Sequence, residues 1–489
     1  MAETKEKVII FPFMAQGHII PFLALALHIE RQKGFNVIFL NTPLNIKKLR
    51  SSLPPDSTIR LLEIPFTSSD HGLPPNTENT DVLSYTNVFR LLQSSISLRP
   101  PVEKILKDLI RENPSRKPLC FIADIFFGWT AAVAKEMGIF HAFFSGCSGF
   151  GLACYYSLWL NLPHRKVDSD EFLLPDFEEA SIFHVSQLPL NIFEADGNDP
   201  WSKFQLGNLL SWVDSNGVLF NTIGEFDQLG LLYFKRKLSK PVWPIGPVLL
   251  PSESRAKQNE FTSKLCRDWL NSKALNSVLF VSFGSMNTIS ASQMMQLAMA
   301  LEKSGKDFIW VVRPPIGFDI NSEFRAQEWL PKGFEERVSS RGLLVQTWAP
   351  QVEILSHKAV SVFLTHCGWN SVLEALSNGV PMLGWPMAAE QFFNAVLLEK
   401  EIGVCVEVAR GKKCEVRCED LAEKIELVMN FDSEKGNEMR RKSFEVKEMI
   451  ENAMRNEING LKGSSSQALD EFFSAAMAAK NGEKVPIIS

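Results

Sequence analysis

Short apolar runs alternate with amphipathic stretches along most of the 489-residue chain. Lys7 to Phe13 reads as a first strand and His18 to Arg31 as the helix behind it, with Phe35 to Leu40 and Ile59 to Ile64 as further strands. Helical spacing marks Asp81 to Ser97, Val102 to Arg111 and Ala131 to Met137, while Leu119 to Ala123 and Phe140 to Phe144 are strands. Strands alternating with helices predict an α/β protein with a mostly parallel, helix-covered sheet. Leu162 to Pro200 has little period and is mixed in Pro, Asp and His, so a long loop region is expected there.

Gly217 to Phe220 and Val242 to Ile245 close this half as strands, and Gly246 to Glu260 turns to Pro, Ser and charge, the mark of an exposed linker. The pattern then starts over. A helix surrounds Trp269, and SVLFVSFGS reads as a strand. Ser290 to Ser304 follows as helix, with Phe308 to Val312 and LLVQT as strands. Beyond Val360 to Thr365, a continuous β-branched run buried on both faces, Ser371 to Ser377 is a helix ended by Asn378-Gly379. Gly403 to Val406 is a last strand, Glu419 to Met429 and Ser433 to Asn459 are charge-laced helices, and a final helix follows Gly463-Ser464-Ser465-Ser466. Two similar α/β halves suggest two Rossmann-like domains facing one another: residues 1–245, a linker at 246–260, residues 261–462, and a tail at 463–489.

The length agrees with two domains of about 200–250 residues. A net charge of −5 with no basic stripe argues against nucleic acid as a partner. MAETKEKVIIFPF lacks the form of a signal peptide, and no apolar run approaches the ~18 residues of a membrane span. The eight cysteines are scattered, and the nearest pair, Cys414 and Cys418, lacks zinc-finger partners. A cytoplasmic monomer with reduced thiols and no integral membrane segment is the expectation.

Candidate chemistry concentrates between Trp348 and Gln391. His366, Gly368, Asn370 and Ser371 sit where a buried strand meets a helix N-terminus, a place whose free N–H groups and dipole attract phosphate. Gly368 permits close backbone approach, and the other three offer side-chain donors. Glu374, one turn on, is placed like the carboxylate that takes ribose hydroxyls in nucleotide folds. Trp348 follows a strand end, where an indole would stack on a base. Near the N-terminus, His18 lies in Gln16-Gly17-His18-Ile19-Ile20-Pro21 at a helix start, where the dipole keeps imidazole neutral as a general base requires. Asp124 ends the strand LCFIA and either orients such a histidine or caps the next helix.

The stretch WAPQVEILSHKAVSVFLTHCGWNSVLEALSNGVPMLGWPMAAEQ, 44 residues long, closely resembles the donor-binding signature of plant secondary-product UDP-glycosyltransferases. The resemblance extends over nearly the whole chain. It implies the GT-B fold, with the sugar nucleotide mainly on the C-terminal domain, the acceptor mainly on the N-terminal one, the cleft between them, and the final helix crossing back to the N-terminal domain. It implies His18 as catalytic base and Asp124 as its partner. The acceptor oxygen would attack the anomeric carbon in one inverting displacement, without metal or other cofactor. Trp348, Ala349, Gln351, His366, Gly368, Trp369, Asn370, Ser371, Glu374, Glu390 and Gln391 would hold the UDP-sugar, joined by Ser285 of the F-G-S turn and by Ser145.

A terminal Gln resembles glucose-preferring members, so UDP-glucose is the expected donor; Glu390 stands where Asp is commoner and leaves UDP-xylose open. Phe13, Phe126, Phe127, Phe144, Phe150 and Trp159 cluster near strand ends, either as core or as a pocket for a lipophilic flavonoid, other phenolic, terpenoid or steroid, as aglycone or glycoside. Two rival motifs are weak. Asp168-Ser169-Asp170 resembles the metal clamp of another transferase fold but follows no buried strand, and Gly146-Cys147-Ser148-Gly149 lacks the last Gly of a hydrolase elbow. A non-catalytic sugar-nucleotide-binding protein is the remaining alternative, and retention of both His18 and Asp124 argues against it.

Overall fold

The continuous apolar runs become the inner strands of two parallel sheets. The computed structural model describes residues 5–113, 117–250, 260–346, 348–457 and 461–483. The first sheet contains β1 (Lys7–Phe11), β2 (Asn36–Asn41), β3 (Arg60–Glu63), β4 (Cys120–Asp124), β5 (Phe140–Ser145), β6 (Gly217–Phe220) and β7 (Val242–Pro244), in the order β3-β2-β1-β4-β5-β6-β7. Every pairing is parallel, with Ile10 opposite Ile122 and Asp124 opposite Phe144. The second sheet contains β8 (Val278–Ser282), β9 (Asp307–Val312), β10 (Gly342–Gln346), β11 (Val360–Thr365), β12 (Met382–Gly384) and β13 (Cys405–Glu407), ordered β10-β9-β8-β11-β12-β13 and again parallel.

The chain forms two compact units: Met1–Ile182 with Glu194–Ser254 and Asn452–Ser489, and Phe183–Phe193 with Arg255–Glu451. These bounds differ from the expected 1–245 and 261–462. Residues 183–193 join the second unit because Phe183 packs edge-on against Phe393 at 5.6 Å and Ser186 Oγ accepts from Arg410 at 2.8 Å. The expected linker falls largely on residues 251–259, outside the described residues. The last helix, Ser464–Lys480, buries Leu469, Phe472 and Phe473 in the core of the first unit, with Phe472 5.2 Å from Trp243.

Several helices differ from the pattern-based reading. Gly149–Asn161 and Gln228–Leu238 are helices that periodicity does not reveal. In the former, GFGLACYYSLWLN is buried from Gly149 through Trp159, so it has no polar face to set a period. The helix expected over 81–97 is confined to Tyr85–Ser94 between short 3₁₀ turns, and the one expected over 433–459 ends at Ala453. Within 162–200 stand short 3₁₀ turns and the single-turn helix Leu190–Phe193. All eight cysteines are free thiols. Among the described residues, no helix is long and apolar enough to cross a membrane.

Candidate active site

In the first unit the chemistry gathers at the C-terminal ends of β1, β4 and β5, where parallel sheets expose ligand-binding groups. The helix after β1, here α1 (Gln16–Lys33), starts two residues before the expected position, so His18 lies within its first turn. His18 Nδ1 lies 2.8 Å from Asp124 Oδ2. The same oxygen accepts from the Phe13 N–H at 3.1 Å, and Oδ1 accepts from the Phe126 N–H at 3.1 Å. An ionised carboxylate only accepts, so Nδ1 carries the proton and Nε2 keeps its lone pair. The His18 side chain is 25% exposed and that of Asp124 fully buried. Phe13 and Phe126 flank the imidazole, with centroids at 5.6 Å and 5.3 Å. Asp124 thus both caps its own turn and orients the histidine.

That turn is clamped from outside by α4 (Pro200–Leu210), which follows α2 (Tyr85–Ser94) and α3 (Gly149–Asn161) in the chain. Asn208 Nδ2 donates to the Ile125 carbonyl at 2.8 Å, and Asn208 Oδ1 accepts from the Gly128 N–H at 2.8 Å. Trp212 Nε1 donates to the same Ile125 carbonyl at 3.2 Å. A Cβ at Gly128 would come within 2.0 Å of Ser211 Oγ, so only glycine lets the clamp close. Sequence reading missed Asn208 because nothing local links it to a turn eighty residues earlier. Ser145 ends β5 as a buried residue whose Oγ accepts from the Cys147 N–H at 3.1 Å. Of the aromatic residues singled out, Phe13, Phe127, Phe144, Phe150 and Trp159 are buried and Phe126 is half-buried.

In the second unit β11 delivers His366 and Cys367 to α5 (Trp369–Ser377), whose N-cap is Gly368. The His366 ring is wedged between two glycines. A Cβ at Gly368 would stand 2.3 Å from Nε2, and one at Gly284, in the turn after β8 with φ +77°, would stand 2.7 Å from Cε1. Burial, aided by the charge of Lys412, pushes the His366 pKa down to about 4, so the ring is neutral at physiological pH. Its Nδ1 is buried without a hydrogen-bond partner among the described residues. The glycine at 368 therefore makes room for this ring, and Gly284 was not singled out at all.

Gln351 organises the other face. Its Nε2 donates to Ser371 Oγ at 2.9 Å and to Glu374 Oε2 at 2.7 Å. One oxygen of the expected ribose carboxylate is thus held by a neighbour, and the Ser371 hydroxyl keeps its proton to donate. Trp348 and Asn370 are half-buried, Ala349 and Trp369 buried, and Ser285 exposed with its carbonyl accepting from Arg313 Nη1 at 2.7 Å. After β12, Gln391 opens a short helix (Gln391–Val396) and its Oε1 accepts from the Met387 and Ala388 N–H groups at 3.1 Å and 3.0 Å, which leaves the amide N–H₂ to donate. Glu390 accepts through Oε1 from Asn394 Nδ2 at 3.3 Å, and that nitrogen also donates to the Cys367 carbonyl at 3.0 Å. Cys367 and Ala389, beside these groups, have φ of +61° and +52°, left-handed values that non-glycine residues adopt only where surroundings enforce them.

The rival motifs have plain explanations. Residues 168–170 are exposed loop, and Ser148 Oγ caps α3 by accepting from the Gly151 N–H at 2.8 Å. No group of three or more metal-ligating His, Cys, Asp or Glu stands together among the described residues.

Known proteins agree in sequence and in fold. The family model described as UDP-glucoronosyl and UDP-glucosyl transferase matches residues 237–451. UDP-glycosyltransferase 92A1 of Arabidopsis thaliana is 52% identical, over 98% of this chain and 99% of that protein. The chain belongs to the plant family 1 UDP-glycosyltransferases. Crocetin glucosyltransferase 3 of Crocus sativus is 40% identical over 96% of this glycosyltransferase and 98% of its own length. A Glycyrrhiza uralensis transferase solved with glycyrrhetinic acid 3-O-monoglucuronide superimposes with a TM-score of 0.82 at 29% identity, covering 98% of this chain and 97% of its own. A Medicago truncatula transferase solved with UDP-glucose gives 0.78 at 27% identity, over 96% and 98%. The fold of this glycosyltransferase is accordingly GT-B.

Proposed function

We propose that this glycosyltransferase moves glucose from UDP-glucose to a hydroxyl of a small lipophilic plant metabolite, with inversion at the anomeric carbon. The observation that carries the reading is the His18–Asp124 pair, held in the tautomer that leaves Nε2 basic. His18 Nε2 takes the hydroxyl proton as the acceptor oxygen forms its bond to the anomeric carbon, and the bond from that carbon to the β-phosphate oxygen breaks. Asp124 stabilises the imidazolium. UDP leaves toward the α5 N-terminus, the neutral His366 ring, Asn370 and the Ser371 hydroxyl, which meet the charge developing on its phosphate. Trp348, Ala349 and Ser285 attend the nucleotide, Glu374 the ribose, and Trp369, Glu390, Gln391 and Ser145 the hexose.

Glucose is favoured by the Gln391 amide, whose oxygen is held by two backbone N–H groups so that its N–H₂ is left to donate, and by relatives named as glucosyltransferases. Eight free thiols suit a cytoplasmic enzyme. The test is UDP release from UDP-glucose and UDP-xylose across phenolic, triterpenoid and steroid acceptors, with and without EDTA, beside His18→Ala. Acceptor-dependent release that needs His18, survives EDTA and prefers UDP-glucose supports the reading. UDP binding without turnover for any pair would return the protein to sugar-nucleotide binding alone.

A further inference from the structure

In the second unit one buried side chain joins two stretches that lie far apart in the chain. Thr365 pairs with Gly384 across β11 and β12, and the Trp385 N–H donates to the Thr365 carbonyl at 2.8 Å. The turn 366–368 and the segment after β12 therefore leave the sheet side by side. Asn394 ties them together. It stands in the helix Gln391–Val396, is fully buried, and its Nδ2 donates to the Cys367 carbonyl at 3.0 Å and to Glu390 Oε1 at 3.3 Å. A primary amide carries two hydrogens, so the two bonds do not compete. The transfer chemistry itself makes no use of this side chain.

The first bond acts on the start of α5. Cys367 is held at φ +61°, and its sulfur is packed down so that a Cβ at Gly384 would stand 3.0 Å from it. With the side chain pinned there, the bond from Asn394 fixes the carbonyl. The peptide from Cys367 to Gly368 is trans and planar, so a carbonyl turned toward Asn394 turns the Gly368 N–H away from it. Gly368 is the half-buried N-cap of α5, and its N–H is one of the four that a helix start leaves without an intrahelical acceptor. The second bond acts on Glu390, the half-buried N-cap of the helix that carries Asn394 four residues on. A carboxylate that reads one hydroxyl needs one rotamer, and a bond to a buried amide supplies it.

We propose that Asn394 is a positioning residue that couples the two ends of the sugar-nucleotide site: one hydrogen of its amide aims the Gly368 N–H at the diphosphate, and the other holds the Glu390 carboxylate for the hexose. This rests on the glycosyl-transfer reading, which puts the phosphates at α5 and the sugar at Glu390. A single buried amide then sets both how tightly UDP is held and which hexose is accepted.

Two readouts test this in the full chain: UDP affinity by calorimetric titration, and the ratio of kcat/KM for UDP-glucose over its C4 epimer UDP-galactose. The wild type is expected to favour UDP-glucose by on the order of tenfold or more. Asn394→Leu removes both bonds at nearly constant shape; it is expected to weaken UDP by about three- to tenfold, the worth of one net hydrogen bond, and to bring the ratio toward one. Glu390→Gln is expected to lower the ratio alone. Asn394→Asp keeps the shape but loses both hydrogens at about pH 7.5 and regains one at about pH 5.5, where the carboxyl introduced beside Glu390 is protonated. Its UDP affinity, relative to wild type at the same pH, is expected to recover on acidification. Thermal melts confirm that each variant folds, and a lower Tm with affinity and ratio unchanged would mean a merely structural asparagine. That result, or a wild type indifferent to the epimer, would overturn the coupling and leave glycosyl transfer standing. If the wild type binds UDP without turnover, displacement of UDP by the two UDP-sugars reads the ratio instead. The same collapse there keeps the coupling and counts against transfer, and no collapse counts against the coupling. A wild type that does not bind UDP would overturn both.

Discussion

His18 Nδ1 and Asp124 Oδ2 stand 2.8 Å apart, and the carboxylate that orients the ring is itself fixed by the N–H groups of Phe13 and Phe126. The carboxylate accepts from both backbone N–H groups and faces Nδ1 of the ring, which sets one imidazole tautomer. His18→Ala is expected to lower kcat by about 10²–10⁴-fold with the KM for UDP-glucose little changed. Asp124→Asn, which can turn an N–H₂ toward the ring and favour the wrong tautomer, is expected to fall within the same range. Steady-state kinetics with one phenolic acceptor check both.

Asn208 should act on the same pair from a distance. Asn208→Leu removes both hydrogen bonds that clasp the turn at Ile125 and Gly128 and leaves that N–H buried, a loss of about 1–3 kcal/mol in stability. The freed turn carries Phe126, whose N–H holds Asp124. Differential scanning calorimetry reads the first effect and a drop in kcat the second.

Room for His366 is a separate requirement. Gly368→Ala places a Cβ against Nε2, and Gly284→Ala does the same against Cε1 at a left-handed φ. Overpacking of this kind costs about 1–3 kcal/mol, or roughly tenfold for each 1.4 kcal/mol in UDP affinity if the ring is displaced. Calorimetric titration with UDP measures it. Ala291→Gly, at the exposed start of the helix Ala291–Ser304 and outside the site, is the comparison, with UDP affinity expected to stay unchanged.

Acid should destabilise the fold through two buried histidines. Burial pushes His366 to about 4 and His141 to about 3, where His141 also bonds Thr130 Oγ1 and Ser215 Oγ at 3.0 Å each. Both folded-state values lie below the unfolded value near 6.5, so the unfolded chain takes up protons first. Their contribution is present above pH ~6.5 and is lost as the pH falls toward 4 and then 3, at about 1.4 kcal/mol per pH unit for each histidine. Tm measured from pH 7.5 to 4.5 should fall steadily below 6.5, and less steeply in His141→Gln.

The sequence carried the strands of both sheets and the positions of His18 and Asp124, because a strand buried on both faces is a continuous apolar run and its end is where polar residues begin. It also carried the strand-to-helix junction at 366–371, since helix starts have few acceptable residue types. It did not carry α3, whose residues are buried nearly all round, nor the join of 183–193 to the second unit, which depends on Phe183 finding Phe393. The Gln351 and Asn394 contacts were hidden for the same reason: a hydrogen bond across twenty or more residues leaves no local pattern.

The stereochemistry of one product tests the account most directly. UDP-α-glucose and a simple phenol would be incubated with the wild-type enzyme and the anomeric proton coupling of the glucoside read by NMR. A single in-line displacement assisted by His18 predicts the β-glucoside from the wild type and almost none from His18→Ala. An α-glucoside, or β-glucoside formed equally well without His18, would contradict the catalytic role of the pair.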